Sequence, residues 1–222
     1  MKLIHCLGIL WLLAANHAVA TTTLISNVGQ ALGGPGNLAS TSYRYATDFL
    51  TNGSASTITG GEFMMDNLDN INHTFTASIF TDNGGTPGTL VGTFNPFTVP
   101  ANSSYNNYSA TSVGNISLAS STTYWEVMQM DENLGTGGAP QVIYTSSQAV
   151  DSGSLFSFVS ATPLQTSTNG GASYSNVTAF GSPITGNYQF TLTGLVVPEP
   201  SRALFISAGF GLSMVRRRRR QC

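Results

Sequence analysis

The fold class of this chain is indicated most directly by the stretch Tyr124-Trp125-Glu126-Val127-Met128-Gln129-Met130. Aromatic residues and valine favour strands over helices. The stretch is also apolar on both faces at most positions, as expected of a strand with neighbours on both sides and cover on both faces. We therefore predict a central β-strand here.

Two other windows alternate apolar and polar residues with a period of two, the pattern of a half-buried strand. They span residues 74–79 and 187–193, and a third candidate strand spans residues 154–159. The side chains predicted to point into the core are Phe75, Ala77 and Ile79 in the first window and Tyr188, Phe190 and Leu192 in the second.

Glycine-rich segments separate these runs, and each contains residue types that favour turns. The strongest is 82–88, and the others are 33–36, 135–138 and 169–171. Many short strands with such turns predict an all-β domain over residues 21–196, an antiparallel β-sandwich of jelly-roll-like form.

The charges of the chain are unevenly distributed. The 222 residues carry a net charge of −2, but within 21–196 there are nine acidic residues and one basic residue, Arg44, for a net charge of −8. Such a domain cannot neutralise several phosphates, which excludes nucleic acid as its partner. It also contains no cysteine, since Cys6 and Cys222 lie outside it, which excludes disulfides and thiolate chemistry within the domain.

The N-terminal residues 1–20 have the parts of a secretory signal: Lys2, an apolar run at 7–15, and the small-x-small sequence Ala18-Val19-Ala20. We expect a signal helix, export through the Sec translocon and cleavage after Ala20. The alternative is a retained membrane anchor, for which the apolar run is too short.

The C-terminal residues 197–222 also have three parts. A motif, Val197-Pro198-Glu199-Pro200-Ser201, precedes an apolar segment at 203–215 and a cluster formed by Arg216, Arg217, Arg218, Arg219 and Arg220. The prolines require an extended backbone, which suits capture in a protease groove. As a helix the apolar segment would be about 20 Å long, a short match to a hydrocarbon core of about 30 Å. The arginines should remain on the cytoplasmic side.

This tail resembles the PEP-CTERM sorting signal of Gram-negative bacteria, on the motif, the apolar segment and the arginine cluster. The resemblance implies that an exosortase, a membrane cysteine protease, recognises Pro198-Glu199-Pro200 and cleaves nearby. It also implies an inner-membrane-anchored precursor that becomes a cell-surface or extracellular-matrix protein. The alternative is an ordinary single-span membrane anchor.

The middle of the chain resembles the bacterial choice-of-anchor domains, most closely the R type. The residues that carry this resemblance are 49–54, 79–88 and 118–125. No catalytic residues are established for that family, so none are carried over to this chain.

Few residues of the chain are candidates for catalysis. His73 is the only histidine between 21 and 196, and we expect it to be an exposed loop residue rather than a catalytic base. Glu126 lies beside Trp125, where an acid could act on a glycosidic bond with a second carboxylate, although an edge-facing strand acid is the simpler interpretation. We predict no enzyme activity and no cofactor.

Two weaker binding hypotheses remain. Asp66, Asp69 and Asp82 supply hard oxygens suited to calcium, but their spacing does not fit an EF-hand loop, so we predict no metal site. Trp125, Tyr105 and Tyr108 could stack on sugar rings, the two tyrosines from a Ser/Asn-rich loop, although packing is the simpler role for each.

The sequence therefore predicts a non-enzymatic exported protein associated with exopolysaccharide or biofilm. The alternatives are a carbohydrate-binding module and a secreted glycoside hydrolase that uses Glu126.

Overall fold

The computed structural model describes residues 20–159, 164–179, 182–183 and 186–197. The predicted signal helix, the motif from Pro198 onward, the apolar segment and the arginine cluster lie outside these residues. The described residues form strands and loops, with no helix long and apolar enough to cross a membrane. The prediction of an all-β domain is confirmed for this part of the chain.

Fifteen strands occur within the described residues. Their bounds are β1 Thr22–Ser26, β2 Leu32–Asn37, β3 Arg44–Leu50, β4 Ser56–Asn67, β5 His73–Asp82, β6 Pro87–Thr93, β7 Phe97–Val99, β8 Ser103–Leu118, β9 Thr123–Met130, β10 Pro140–Thr145, β11 Gln165–Ser167, β12 Ser175–Asn176, β13 Thr178–Ala179, β14 Ser182–Pro183 and β15 Phe190–Val196.

The strands form two large antiparallel sheets. The first sheet has the order β1-β15-β4-β10-β2, with β8 also paired to β4. The second has the order β12-β11-β3-β9-β5-β6, with β7 also paired to β5, while β13 and β14 pair separately. β9 lies in the interior of the second sheet, which confirms the central strand predicted from residues 124–130.

The main hydrophobic core contains side chains from both sheets. Because successive side chains of a strand point to opposite faces, Tyr124, Met128 and Met130 of β9 reach this core, while Trp125 and Val127 form a smaller cluster. The side chains predicted to point into the core from the windows 74–79 and 187–193 are all buried. Large side chains of the main core include Leu24, Ile25, Leu38, Phe49, Ile58, Phe63, Met65, Phe75, Ile79, Phe94, Tyr188 and Phe190.

β4 connects most of the first sheet. β8 pairs along one edge of it from Ser56 to Asn67. β15 and β10 share the other edge, β15 over residues 56–63 and β10 over residues 65–67. The two ends of this strand, Ser56 and Asn67, are about 36 Å apart at a rise of about 3.3 Å per residue.

Residues 33–36, predicted as a turn, lie instead within strand β2. β2 ends the order of its sheet next to β10, and an edge strand can accommodate Pro35 without an N–H group. Close packing explains the glycines: a Cβ atom on Gly33 would lie 2.4 Å from the carbonyl oxygen of Thr145, and one on Gly36 2.8 Å from the ring of Tyr45.

The other predicted turns and the third candidate strand have mixed outcomes. Residues 82–88 connect β5 to β6 as predicted, with Gly84 and Gly85 in the positive-φ region, although β6 already begins at Pro87. Residues 135–138 and 169–171 lie in loops, as predicted. Residues 154–159 form only one isolated bridge, between Ser157 and Leu50, instead of a strand.

Phe63 occupies a central position in the core. Its ring stacks on Phe97 at 5.4 Å and meets Phe94 edge-on at 5.5 Å. We expect Phe63→Ala to lower the free energy of unfolding by about 3–5 kcal/mol, because the truncation leaves a cavity between the sheets. Urea denaturation measures this change. Leu90→Ala, at a side chain that is 51% exposed, should have little effect. Equal effects of the two variants would contradict the assigned core.

Candidate functional site

The buried carboxylate of Asp69 connects two loops at the Asn67 end of β4. It accepts hydrogen bonds from the backbone N–H groups of Asn70 and Gly137, at 2.7 and 2.8 Å, and from that of Gly135. His73 Nε2 lies 2.8 Å from Asp69 Oδ2. The segment after β4 is thereby fastened to the glycine-rich loop 134–138.

These hydrogen bonds determine the protonation of Asp69. Burial alone would raise its pKa, but the hydrogen bonds from His73, Gly137, Gly135 and Asn70 outweigh burial and hold the pKa of Asp69 below its usual range. Asp69 is therefore ionised at neutral pH.

His73 is not the exposed loop residue that the sequence predicts. It is the first residue of β5 and is fully buried. Its Nδ1 atom has no hydrogen-bond partner, and the nearest carboxylate oxygen on that side, Glu132 Oε2, is 3.9 Å away. The reason is the Asp69 carboxylate, which supplies a buried partner that satisfies the other ring nitrogen.

Asn67 adds a second set of connections at the same place. Its side-chain N–H₂ group lies 2.8 to 3.2 Å from the carbonyl oxygens of Ile71, Val99 and Pro100, and its Oδ1 accepts the N–H of Asp69. The loops after β4 and β7 are thus held together by one fully buried amide. A rigid rim forms at this end of the domain.

A groove of about 350 Å³ opens beside this rim. Its lining residues are Asp66, Leu68, Asn102, Ser103, Ser104 and Tyr105. The volume lies at the lower end of the range of small-molecule binding sites in proteins. The groove combines a carboxyl group, an amide and two hydroxyls with two exposed apolar side chains.

A β-bulge brings these residues together. Met65 pairs with Asn106 and Asn67 pairs with Ser103, so the two residues Ser104 and Tyr105 lie opposite the single residue Asp66. Bulges of this kind redirect side chains and are frequent near functional sites. The position of Tyr105 beside Asp66 thus depends on the register of β4 and β8, which consecutive residues of the sequence do not reveal.

Asp66 is the most unusual group in the groove. The residue is only 4% exposed, and its Oδ1 atom has no hydrogen-bond partner. Desolvation by burial raises the pKa of Asp66 to about 6. On its other side Asp66 pairs with Gln141, whose amide donates to Asn37 Oδ1 at 2.7 Å. A row of polar side chains therefore extends from the groove across three strands.

The two tyrosines lie on strand β8, not in the loop predicted for them, and they have different environments. Tyr108 is half-buried, packs against the core and stacks on Phe97 with ring centroids 6.3 Å apart. Tyr105 is 49% exposed and lines the groove. Of the two tyrosines, only Tyr105 has a ring face that is exposed to solvent.

Trp125 is fully buried, which removes the exposure that a sugar-stacking role requires. Its indole Nε1–H donates to Asp82 Oδ1 at 2.8 Å, and Phe80 and Tyr174 pack against its cluster. The outer face of β9 is covered, because the aromatic side chains of a neighbouring strand and of the segment after β11 close over it.

The three calcium candidates do not form one site. Asp66 lies in the groove, Asp69 is occupied by N–H donors, and Asp82 accepts the Trp125 indole and the Gly85 N–H at the far end of β5. Within the described residues no group of three or more His, Cys, Asp or Glu side chains is arranged to hold a metal ion.

Glu126 does not face an edge of the sheet, as the simpler interpretation held. It lies on the inward-facing side of β9, is fully buried and has no hydrogen-bond partner for either carboxyl oxygen. Its cross-strand neighbours are Thr47, whose hydroxyl is also unpartnered, and Ile79. Burial raises the pKa of Glu126 well above its usual value, which favours the neutral form of the carboxyl group. Because the side chain is fully buried, it is also out of reach of a substrate at the surface.

The comparisons with known proteins define no family for this chain. No family model matches the sequence, and no curated protein matches it. Among solved structures it is similar to the structure of infectious bursal disease virus Gx strain, with 16% identity and a TM-score of 0.25. That match covers 83% of this chain and 43% of the viral chain, so this chain spans less than half the length of its counterpart.

The neutral Glu126 should make stability depend on pH. Above the usual carboxyl pKa of about 4.3, the unfolded state releases a proton that the folded state retains, so the free energy of unfolding falls as pH rises, by up to about 1.4 kcal/mol per pH unit. Glu126→Gln removes this dependence. Urea denaturation of both proteins at several pH values between 5 and 8 measures it. Parallel pH profiles of the two proteins would contradict a neutral buried carboxyl.

The Asp69 connections generate an opposite dependence. Asp69→Asn places an amide N–H₂ among N–H donors, so we expect a lower urea midpoint at pH 7 and faster amide hydrogen exchange at Gly135 and Gly137. The difference from the unchanged protein should shrink below the usual Asp pKa of about 3.9, as the wild-type carboxylate loses its advantage. Asp131→Asn, at an exposed acid, is the matched control. A pH-independent difference would argue against an ionised Asp69.

Proposed function

We propose that this protein is an exported, non-enzymatic surface or matrix protein of a Gram-negative bacterium, whose C-terminal tail is processed by an exosortase. The observation that carries the proposal is the order of parts in the tail: Val197-Pro198-Glu199-Pro200-Ser201, the apolar segment 203–215, and the cluster Arg216 to Arg220.

The position of the last strand supports this proposal. β15 ends at Val196, and the motif starts at the next residue. Val197 is 51% exposed and makes one backbone hydrogen bond, from its N–H to the carbonyl oxygen of Ala55 at 2.9 Å. The motif therefore follows directly on a folded domain, where a membrane protease would meet an extended segment.

The start of the domain also supports it. β1 begins at Thr22, two residues after the proposed cleavage at Ala20, and Thr22 pairs with Gly194 of β15. The junctions to both terminal segments thus lie at the same end of the first sheet. One end of the domain can face the membrane while both segments are engaged.

The two terminal segments act one after the other. The Sec translocon exports the chain, a signal helix is removed after Ala20, and a short membrane helix holds the precursor with its arginines in the cytoplasm. Exosortase cleavage then delivers the domain to the cell surface or the matrix, with exopolysaccharide as the candidate partner. We also propose the jelly-roll-like form, which is supported by the way strands β2 to β5 and β7 to β11 pass alternately between the two sheets.

A non-enzymatic role is supported by the state of the candidate catalytic groups. Glu126 is enclosed in the core, and His73 is buried against Asp69. Neither group reaches the groove lining. The glycoside hydrolase alternative therefore receives no support from this arrangement.

Mass spectrometry of the protein from cells that express an exosortase tests the proposal. We expect an N-terminus at Thr21 and loss of the arginine cluster. Changing Pro198, Glu199 and Pro200 to alanine should leave the arginines attached and the protein in the membrane fraction, because the cleavage motif is gone. Asp131→Ala, a surface change outside the tail, should be processed normally. A retained tail in the unchanged protein would refute the sorting function.

A further inference from the structure

We propose that the groove between Leu68 and Tyr105 is a binding site for one or two rings of a neutral saccharide, located at the Asn67 end of β4, opposite the end where Val196 pairs with Ser56. Its lining combines polar groups without partners and an exposed aromatic ring, and nothing in the described part of the chain occupies it.

The polar part of the groove offers free hydrogen-bonding capacity. Asp66 Oδ1 and Ser103 Oγ are both buried and have no hydrogen-bond partner. Both residues line the groove, so a ligand that enters it can supply the hydrogen bonds that these two atoms lack. A carboxylate oxygen that accepts hydrogen bonds from two sugar hydroxyls would form charge-assisted hydrogen bonds, which are stronger than those between neutral groups.

The apolar part of the groove suits the faces of a sugar ring. Tyr105 lies on strand β8 and is 49% exposed, and Leu68 lies in the loop after β4 and is 50% exposed. Both side chains line the groove. A pyranose ring has C–H groups on its faces and hydroxyls around its edge. It can therefore cover the Tyr105 ring while its hydroxyls reach Asp66 and Ser103, which is the combination of contacts that orients small ligands in proteins.

Charge and size exclude the main competing ligands. The groove contains a carboxyl group and no basic residue, so a phosphate, a nucleotide or a uronic acid would meet repulsion without a compensating cation. A single carboxylate is also too little for a structural cation, which takes six to eight oxygen ligands in the case of calcium. A volume of about 350 Å³ limits the occupant to a small number of rings.

The walls of the groove are already held in place. The Asp69 carboxylate and the Asn67 amide fasten the segment that carries Leu68, and Asn102 donates its backbone N–H to the carbonyl oxygen of Asp69 at 2.9 Å. A ligand therefore does not have to order these loops, and the free energy of ordering is not subtracted from its affinity.

The location of the groove follows from β4. Asp66 is at one end of this strand, and Ser56, which pairs with Val196, is at the other, about 33 Å away at 3.3 Å per residue. This part of the inference depends on the proposed function: if the tail holds the domain at the membrane, the groove faces away from it. Saccharide binding itself does not depend on sorting.

The test uses the full chain, purified in a detergent without a sugar headgroup. The probes are an array of glucose-, galactose- and mannose-based oligosaccharides of two to six rings, with amino-sugar and uronic-acid oligosaccharides on the same surface. We expect binding to neutral oligosaccharides and none to uronic acids. The best neutral probe is then titrated by calorimetry against variants of the groove.

Tyr105→Ala and Asp66→Asn should each weaken this binding at least tenfold, since one removes the ring platform and the other the charged acceptor. The matched controls are Leu90→Ala, at a residue that is 51% exposed on β6, and Asp131→Asn, and both should bind normally. Urea midpoints of all four variants are compared first. Because Tyr105 is half-exposed, its variant should fold even if the Asp66 variant does not.

Several results would overturn the site. These are no binding to any neutral oligosaccharide, a preference for uronic acids, or unchanged binding in Tyr105→Ala. A chain with alanine at residues 198, 199 and 200 should bind the same probe with unchanged affinity. A failure of sorting is therefore distinguishable from a failure of binding.

Discussion

The pairing of β4 along both of its edges is the constraint on which the rest of this structure depends. β8 occupies one edge over the full strand, and β15 and β10 divide the other between them. Backbone hydrogen bonds must be satisfied when they are buried, so the register of these strands is specified wherever one face is packed. The pairing of β4 sets the positions of the groove, of the end of the last strand and of the start of the first strand.

Buried polar groups have two different roles in this domain. At the Asn67 end of β4, the Asp69 carboxylate and the Asn67 amide have several partners each, and they hold irregular loops in one arrangement. Glu126 is different, because both of its oxygens lack a partner and the surrounding core disfavours its charge. Hydrogen bonds keep Asp69 ionised, so its contribution to stability is lost at low pH, whereas burial without partners disfavours the charge of Glu126, so stability falls as pH rises.

The arrangement of the domain places the proposed saccharide groove and the start of the proposed sorting tail at different ends of β4. The segments proposed to direct export and processing leave from the end where Thr22 pairs with Gly194. The groove lies at the other end of β4, next to the rigid rim. A domain of this kind would present its groove outward while its tail is handled at the membrane, and the two activities would not compete for the same surface.

The sequence by itself determined the fold class, the central position of β9 and the inward faces of β5 and β15, because strand periodicity is local and is readable from consecutive residues. It also contained the three-part terminal tail, whose recognition depends on order and not on folding. It did not determine the environments of His73, Trp125 and Glu126, since burial depends on which distant strand or loop covers a side chain.

The groove is a property of the tertiary structure alone. Asp66 and Tyr105 are far apart in sequence and were candidates for different roles, a cation ligand and a sugar platform. They come together because β8 contains one extra residue between its pairings with Met65 and Asn67. Similarly, the glycine content of residues 33–36 predicts a turn, but these residues form an edge strand. The glycines are needed there because the neighbouring strand approaches closely. Pairing register and close packing are long-range properties, and local sequence patterns do not encode them in a readable form.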